Sequence, residues 1–195
     1  IFENMNRKQL VCSLILFLAP FFAFSQYFTL TPMGMKAFPV ESEKDCKDYI
    51  VLEFPGKTQT ELYEMAHGYI VSKFNSAKDV MSVSEPNFIT VNASFAFKTQ
   101  AAYLYTIEAC YNYKIAFKDG KIKVNFVLLD LHVPPQRHSQ NFSFGLIAKG
   151  RAFGGYGIFT KKGDVASLEA KEVIEGYANR LTRDMVNAIQ DNNDW

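Results

Sequence analysis

The dipeptide Asp119-Gly120 limits the folds open to this chain more than any other feature, because it divides Tyr103 to Val133 into two long alternating runs. Asp-Gly between such runs signals a two-residue hairpin loop, and the favoured type I′ turn needs φ > 0 at both central residues. With that loop in place the register follows. Lys118 faces Lys121, Phe117 faces Ile122, Ile115 faces Val124, Tyr113 faces Phe126 and Tyr111 faces Leu128. All but the Lys pair put apolar groups on one face. The other face carries Cys110, Asn112, Lys114, Ala116 and Lys118 opposite Leu129, Val127, Asn125, Lys123 and Lys121. The pattern predicts a long antiparallel ribbon in a sheet covered on one face only. The same register puts Glu108 and Asp130 on opposite faces.

The rest of the chain supplies partners for that ribbon. Gln26 to Lys47 mixes Pro32, Gly34, Pro39 and a charged cluster, and reads as an extended lead-in and loop. Asp48 to Phe54 is a strand closed by Pro55-Gly56. Thr58 or Thr60 can cap a helix, since a Thr hydroxyl accepts from an orphan N–H of the first turn, and Glu61 suits the helix dipole there. Leu62, Ala66, Tyr69, Ile70 and Phe74 recur at helical spacing. Asp79 to Glu85 is a short strand, and Phe88 to Lys98 alternates as a half-buried one. Residues 134–166 form an excursion rich in Gly and aromatics, read as a loop with one short hairpin lying against the body. Ser167 to Asp191 is a second helix, with Leu168, Ile174, Tyr177, Ala178, Leu181, Met185 and Ile189 as its buried stripe and Lys171, Arg180, Arg183 and Asp184 in water. The expected fold is α+β: a five-stranded antiparallel sheet with two helices on one face, in the order β-α-β-β-β-β-α. Residues 48–133 carry the core strands and first helix, and residues 167–191 add the last helix to the same domain.

Residues 1–25 read as a signal peptide. Arg7 and Lys8 precede an apolar run from Leu10 to Phe24, and Ala23-Phe24-Ser25 offers small residues where a signal peptidase reads them. Cleavage is expected between Ser25 and Gln26, placing the protein in the periplasm or outside the cell. Pro20 interrupts a run already short for a span of about 20 residues, so no membrane anchor is expected after processing. Met5 sits where a start codon belongs. Removing two basic residues (Arg7, Lys8) and one acidic residue (Glu3) from 21 and 20 leaves 19 of each sign. That neutrality, with export, disfavours nucleic acid as a partner. Export permits a disulfide, and whether Cys46 and Cys110 pair is left open by spacing alone.

Several stretches resemble a known family: Y-I-V-L-E-F-P-G-K-T (Tyr49 to Thr58), E-L-Y (Glu61 to Tyr63), K-D-V (Lys78 to Val80), I-T-V-N (Ile89 to Asn92) and Y-K-I-A-F-K-D-G-K-I-K (Tyr113 to Lys123). They are similar to a domain of unknown function, with a TATA-box-binding-protein-like (TBP-like) fold, common in secreted proteins of Bacteroidetes. The resemblance runs from about Leu30 to Leu131 and does not reach the excursion. It implies the β-α-β(4)-α fold and export. It implies no catalytic residue, and its fold name does not carry DNA binding with it.

Catalytic and metal motifs are sparse. Glu64 and His67 form E-x-x-H on the first helix, where two ligands one turn apart could begin a metal site with His132 and His138; the bland reading is a solvated helix edge. Nucleophilic catalysis needs a Ser or Cys beside a base, and neither G-x-S-x-G nor any Cys-His motif is present. Gly150 to Gly157 lacks both phosphate-loop and Rossmann spacing, so its glycines read as turn positions. No catalytic residue, metal site or cofactor is assigned. The binding candidates lie on the open face of the ribbon: Asn112, Lys114, Lys123 and Asn125, joined near the tip by Lys118 and Lys121. A basic, amide-bearing sheet face suits an anionic partner, protein or carbohydrate; against that, lysines also solubilise exposed sheets. The leading expectation is a non-catalytic exported binding domain. The alternative is a periplasmic hydrolase or metal-dependent enzyme using His67, His132 or Cys110. Oligomeric state is not legible.

Overall fold

A computed structural model describes residues 26–40, 46–74, 76–100, 105–134, 143–149 and 155–191. The predicted leader and His138 lie outside the described residues. In chain order the elements are β1 (Phe28–Thr31), β2 (Gly34–Ala37), β3 (Tyr49–Glu53), α1 (Gln59–Lys73), α2 (Ala77–Val80), β4 (Met81–Ser84), β5 (Phe88–Phe97), β6 (Ile107–Lys118), β7 (Lys121–His132), β8 (Ser143–Ile147), β9 (Gly155–Phe159) and α3 (Leu168–Asp191). The main sheet is β3-β7-β6-β5-β4, antiparallel throughout. The fold class read from the sequence is therefore observed, with α1 and α3 on one face.

The β6–β7 ribbon organises the core. Its register pairs Tyr111 with Leu128, Tyr113 with Phe126, Ile115 with Val124, Phe117 with Ile122 and Lys118 with Lys121, as the alternation requires. Tyr111, Tyr113 and Phe126 are buried beneath the helices. Tyr111 stacks on Phe126 with ring centroids 4.8 Å apart. Helix α3 is pinned across them by Tyr177, whose hydroxyl lies 2.8 Å from that of Tyr111, and by Thr182, whose Oγ1 accepts from the Tyr113 hydroxyl at 3.3 Å. Tyr69 of α1 donates to the Leu181 carbonyl at 3.2 Å, joining the two helices.

The turn itself differs from expectation. Among the described residues φ is positive only at glycines, Gly120 (φ 71°) included, so Asp119 does not adopt a type I′ conformation. The surrounding chain sets this turn. Gly120 N–H donates to the Lys57 carbonyl (2.8 Å), Phe54 N–H donates to the Gly120 carbonyl (2.7 Å), and Asp119 Oδ1 accepts from Gln59 N–H (2.8 Å) at the start of α1. Thr58 is the N-cap. Its hydroxyl accepts from Glu61 N–H, and the Glu61 carboxylate accepts from Thr58 N–H at 2.7 Å, a reciprocal capping box. These bonds hold the Glu61 carboxyl below the usual carboxylate range.

Four further expectations are corrected. The lead-in is not loop alone but the β1–β2 hairpin, whose Phe28, Leu30 and Met35 join the core. Its β1 edge is satisfied by side chains of α3: Asn179 Oδ1 accepts from Tyr27 and Phe28 N–H at 2.7 and 2.8 Å, and Glu175 Oε1 accepts from Leu30 N–H at 2.6 Å. The excursion, read as a loop with one short hairpin, holds a parallel β8–β9 pair, and its antiparallel pairing among the described residues is the single bridge Phe159–Val165. Gly145 and Gly157 face each other there, and a Cβ on Gly157 would fall 2.5 Å from the Ala148 nitrogen, so the backbones meet where only glycine fits. The segment from Ala77 to Val80 is a helical turn, not the start of β4. On α3, Leu168 is 59% exposed because the helix only begins there, while Lys171 leans inward to pair with the buried Glu175 at 2.5 Å.

Candidate functional site: the uncovered face of the sheet

The second face of the main sheet is open to solvent at Val51, Val127 and Leu129, with the β8–β9 pair beside its far end at Leu129 and Asp130. Alternation brings the four candidates onto it together, and Lys114 faces Asn125 directly across the β6–β7 pair. Both amides are engaged. Asn112 Nδ2 donates to Asn92 Oδ1 (2.8 Å), and Asn125 Nδ2 donates to the Asp48 carbonyl (3.1 Å). Both lysines lie on aromatic rings: Lys123 Nζ is 4.7 Å from the Tyr49 centroid and Lys114 Nζ is 4.8 Å from that of Phe88. Such stacking holds the ammonium groups over the sheet. Lys123, with Lys118 and Lys121, borders a shallow groove of 330 Å³ that Tyr49, Val51 and Ala116 also line. Glu53, paired with Lys121 on the edge strand, offsets part of the charge.

The opposite end of the same face has the other sign, through a feature absent from the derived register. A β-bulge between Cys110 and Tyr111 makes Cys110 face Asp130 and Glu108 face His132. One extra residue on β7 flips the following side chains to the other face. Glu108 and Asp130 therefore share the open face, which corrects the expectation that they lie on opposite ones. Ser94 donates to the Glu108 carboxylate. Glu108 Oε2 lies 3.5 Å from His132 Nε2, and Asp130 Oδ2 lies 3.2 Å from His132 Nδ1 without the alignment of a hydrogen bond. Burial pushes the Cys110 thiol up, and the Glu108 and Asp130 carboxylates add to the effect. A thiol so placed is a poorer nucleophile at neutral pH.

The remaining candidates are dispersed. His67 stacks on Tyr63 (centroids 5.6 Å apart) beside Glu64 and Glu85 in a groove of 420 Å³ on the helix side. His132 is on the other side of the sheet, so the two histidines do not converge. Among the described residues no three His, Cys, Asp or Glu side chains are arranged to hold a metal ion. Cys46 and Cys110 form no disulfide. A cleft of 360 Å³ between β7 and the β8–β9 pair is lined by Leu129, Asp130, Phe144, Leu146, Lys149 and Tyr156, among others. The bulge, and with it the acidic end of the face, was the part sequence reasoning missed. The signal for it is weak: Leu128-Leu129 breaks the alternation of β7 and admits one extra residue.

Searches against protein families and against curated proteins return no match for this chain. Solved structures do match. A TBP-like protein from Parabacteroides distasonis superposes with a TM-score of 0.50 at 9% identity, over 73% of this chain and 90% of that one. A DUF4468 family protein from Bacteroides ovatus gives a TM-score of 0.44 at 11% identity, over 77% and 86% of the two chains. At such identities the likeness concerns shape alone, and the five-stranded sheet with its helices on one side has the TBP-like fold.

Proposed function

We propose that this is an exported, non-catalytic binding domain whose uncovered sheet face holds an anionic partner, a protein or a glycan, at its basic end. The observation that carries the reading is the placement of Lys114 and Lys123 over Phe88 and Tyr49, beside Lys118 and Lys121. Lysines that only solubilise a sheet have no need to lie on rings, whereas stacked ammonium groups present charge at lower entropic cost. Export rests on the leader-like residues 1–25. Retention of purified protein on immobilised polygalacturonate and on polyglutamate tests the reading and separates glycan from protein chemistry. Binding to one or both should weaken with salt. Joint Lys114→Glu and Lys123→Glu reversal should lower affinity about tenfold or more. Undiminished retention of that variant would remove the face from consideration.

A second reading, a hydrolase or metal-dependent enzyme, draws on the run Ser94–Glu108–His132–Asp130, which links a hydroxyl, an imidazole and two carboxylates. Stoichiometric zinc lost on His132→Ala or His67→Ala, or ester hydrolysis lost with either, would favour it over the first.

A further inference from the structure

The open face is charged oppositely at its two ends and uncharged between them. Its middle row is Asn92, Asn112 and Val127, aligned across β5, β6 and β7. Towards the ribbon tip come Lys114 and then Lys123, followed by Lys118 and Lys121. Away from it come Asp130 beside Cys110, then Glu108 beside His132. A two-fold axis lying in the plane of this face, perpendicular to the strands and passing through the middle row, turns the face onto itself with its ends exchanged. The lysine rows of one copy then lie over the carboxylate rows of the other, and the neutral row meets itself. An isologous contact needs this kind of self-complementarity.

We propose that the anionic partner is a second copy of this chain, docked sheet to sheet about that axis. The inference rests on the reading of the sheet face as a contact surface and names what fills it. Apolar side chains are present where the contact needs them. Val127, in the middle row, is 39% exposed and Leu129, at the bulge, is 59% exposed, although both belong to a strand whose other face is the core. In the docked pair Val127 meets Val127 at the axis, where no charge opposes its like. Strands about 4.8 Å apart and about ten residues long at 3.4 Å per residue give a face of roughly 600 Å². That is somewhat below the roughly 800 Å² per partner of a standard interface. The pair is accordingly a weak, concentration-dependent dimer, held in large part by charge and therefore sensitive to salt.

The test uses two charge reversals of exposed side chains, Lys114→Glu and Asp130→Lys, and measures mass by sedimentation equilibrium over a range of protein and salt concentrations. Wild type should associate to a dimer at low salt and dissociate as salt rises. Each variant alone should be monomeric under conditions that dimerise wild type, with its dissociation constant raised about tenfold or more. Mixed in equal amounts, the two variants should restore the dimer. The carboxylate introduced at position 114 of one chain then lies in the row opposed to the ammonium introduced at position 130 of the other, while the remaining wild-type ends still match. Isotopic labelling of one variant and native mass spectrometry should show the restored species to be the heterodimer. A monomeric wild type, a dimer indifferent to both reversals, or a mixture that stays monomeric would each overturn the proposal. Monomeric wild type that still binds a polyanion through Lys114 and Lys123 removes the second copy and leaves the contact-face reading standing. Monomeric wild type that binds none removes both.

Discussion

Tyr113 is fully buried at the centre of the core face, and its hydroxyl donates to Thr182 Oγ1, which itself donates to the Ala178 carbonyl at 3.0 Å. Thr182 thus keeps a partner when the tyrosine hydroxyl is removed. Tyr113→Phe should cost only about 0.5–1.5 kcal/mol at neutral pH, measured by urea unfolding. Its larger effect is on pH dependence. Desolvation pushes the phenols of Tyr111 and Tyr113 well above the ordinary range, and raises that of Tyr63 to about 12, with Glu85 assisting. In the unfolded chain these groups ionise near pH 10. The folded state therefore holds protons that the unfolded state releases, and stability falls with rising pH. The contribution is fully present below about pH 10 and is lost as pH climbs through the folded values. Unfolding midpoints taken from about pH 9 to 11 should drop steeply in wild type and less steeply in a Tyr111→Phe/Tyr113→Phe variant. Equal slopes would mean that these phenols do not carry the alkaline instability.

Among elements, the β1–β2 hairpin and the β8–β9 pair are short and depend on neighbours. A two-stranded hairpin is marginal by itself in water, and this one is secured where α3 offers Asn179 and Glu175 to the β1 backbone. Asn179 Nδ2 also donates to the Phe28 carbonyl at 2.9 Å, so a single amide satisfies three backbone groups. Asn179→Ala removes these three bonds and should destabilise the hairpin by about 1–3 kcal/mol. Hydrogen exchange at Tyr27 and Phe28 should accelerate while amides of β6 remain protected. Exchange unchanged at those two sites would show the clamp to be dispensable. The β8–β9 pair turns on Gly157. Alanine there places a methyl within 2.5–2.8 Å of Ala148 backbone atoms and the Gly145 carbonyl, and neither backbone can withdraw without breaking the pairing. Gly157→Ala should loosen β8–β9 and expose it to limited proteolysis, whereas Gly176→Ala, with open space around it, should not.

At the scale of the molecule, α3 ties outlying parts of the chain to the sheet: the hairpin through Glu175 and Asn179, the core tyrosines through Tyr177 and Thr182, and β9 through the two residues just before the helix, Ala166 and Ser167, whose N–H groups donate to the Ile158 carbonyl. Ile174→Ala empties a fully buried site on that helix and should cost about 2–5 kcal/mol. Near-ultraviolet and far-ultraviolet circular dichroism should lose signal in one shared transition; separated transitions would show that the hairpin or β8–β9 unfolds independently. Much of this architecture was legible beforehand. The ribbon register from Tyr111 to Leu128, the α1 start at one of two threonines, Thr58 or Thr60, and the two faces of the sheet all follow from local alternation and capping, because a period of two and an orphan N–H are satisfied within a few residues. Asn112, Lys114, Lys123 and Asn125 were legible together for the same reason. The hairpin of the lead-in, the parallel β8–β9 pair and the inward Glu175 were not, since each is stabilised by residues far away in the chain. The bulge at Cys110 belongs with them: a local pattern says which side chains alternate, but the closure of β6 and β7 against the helices chose where one residue is skipped. That skip placed carboxylates opposite in sign to the lysines on one continuous surface, and so gave the face its two ends.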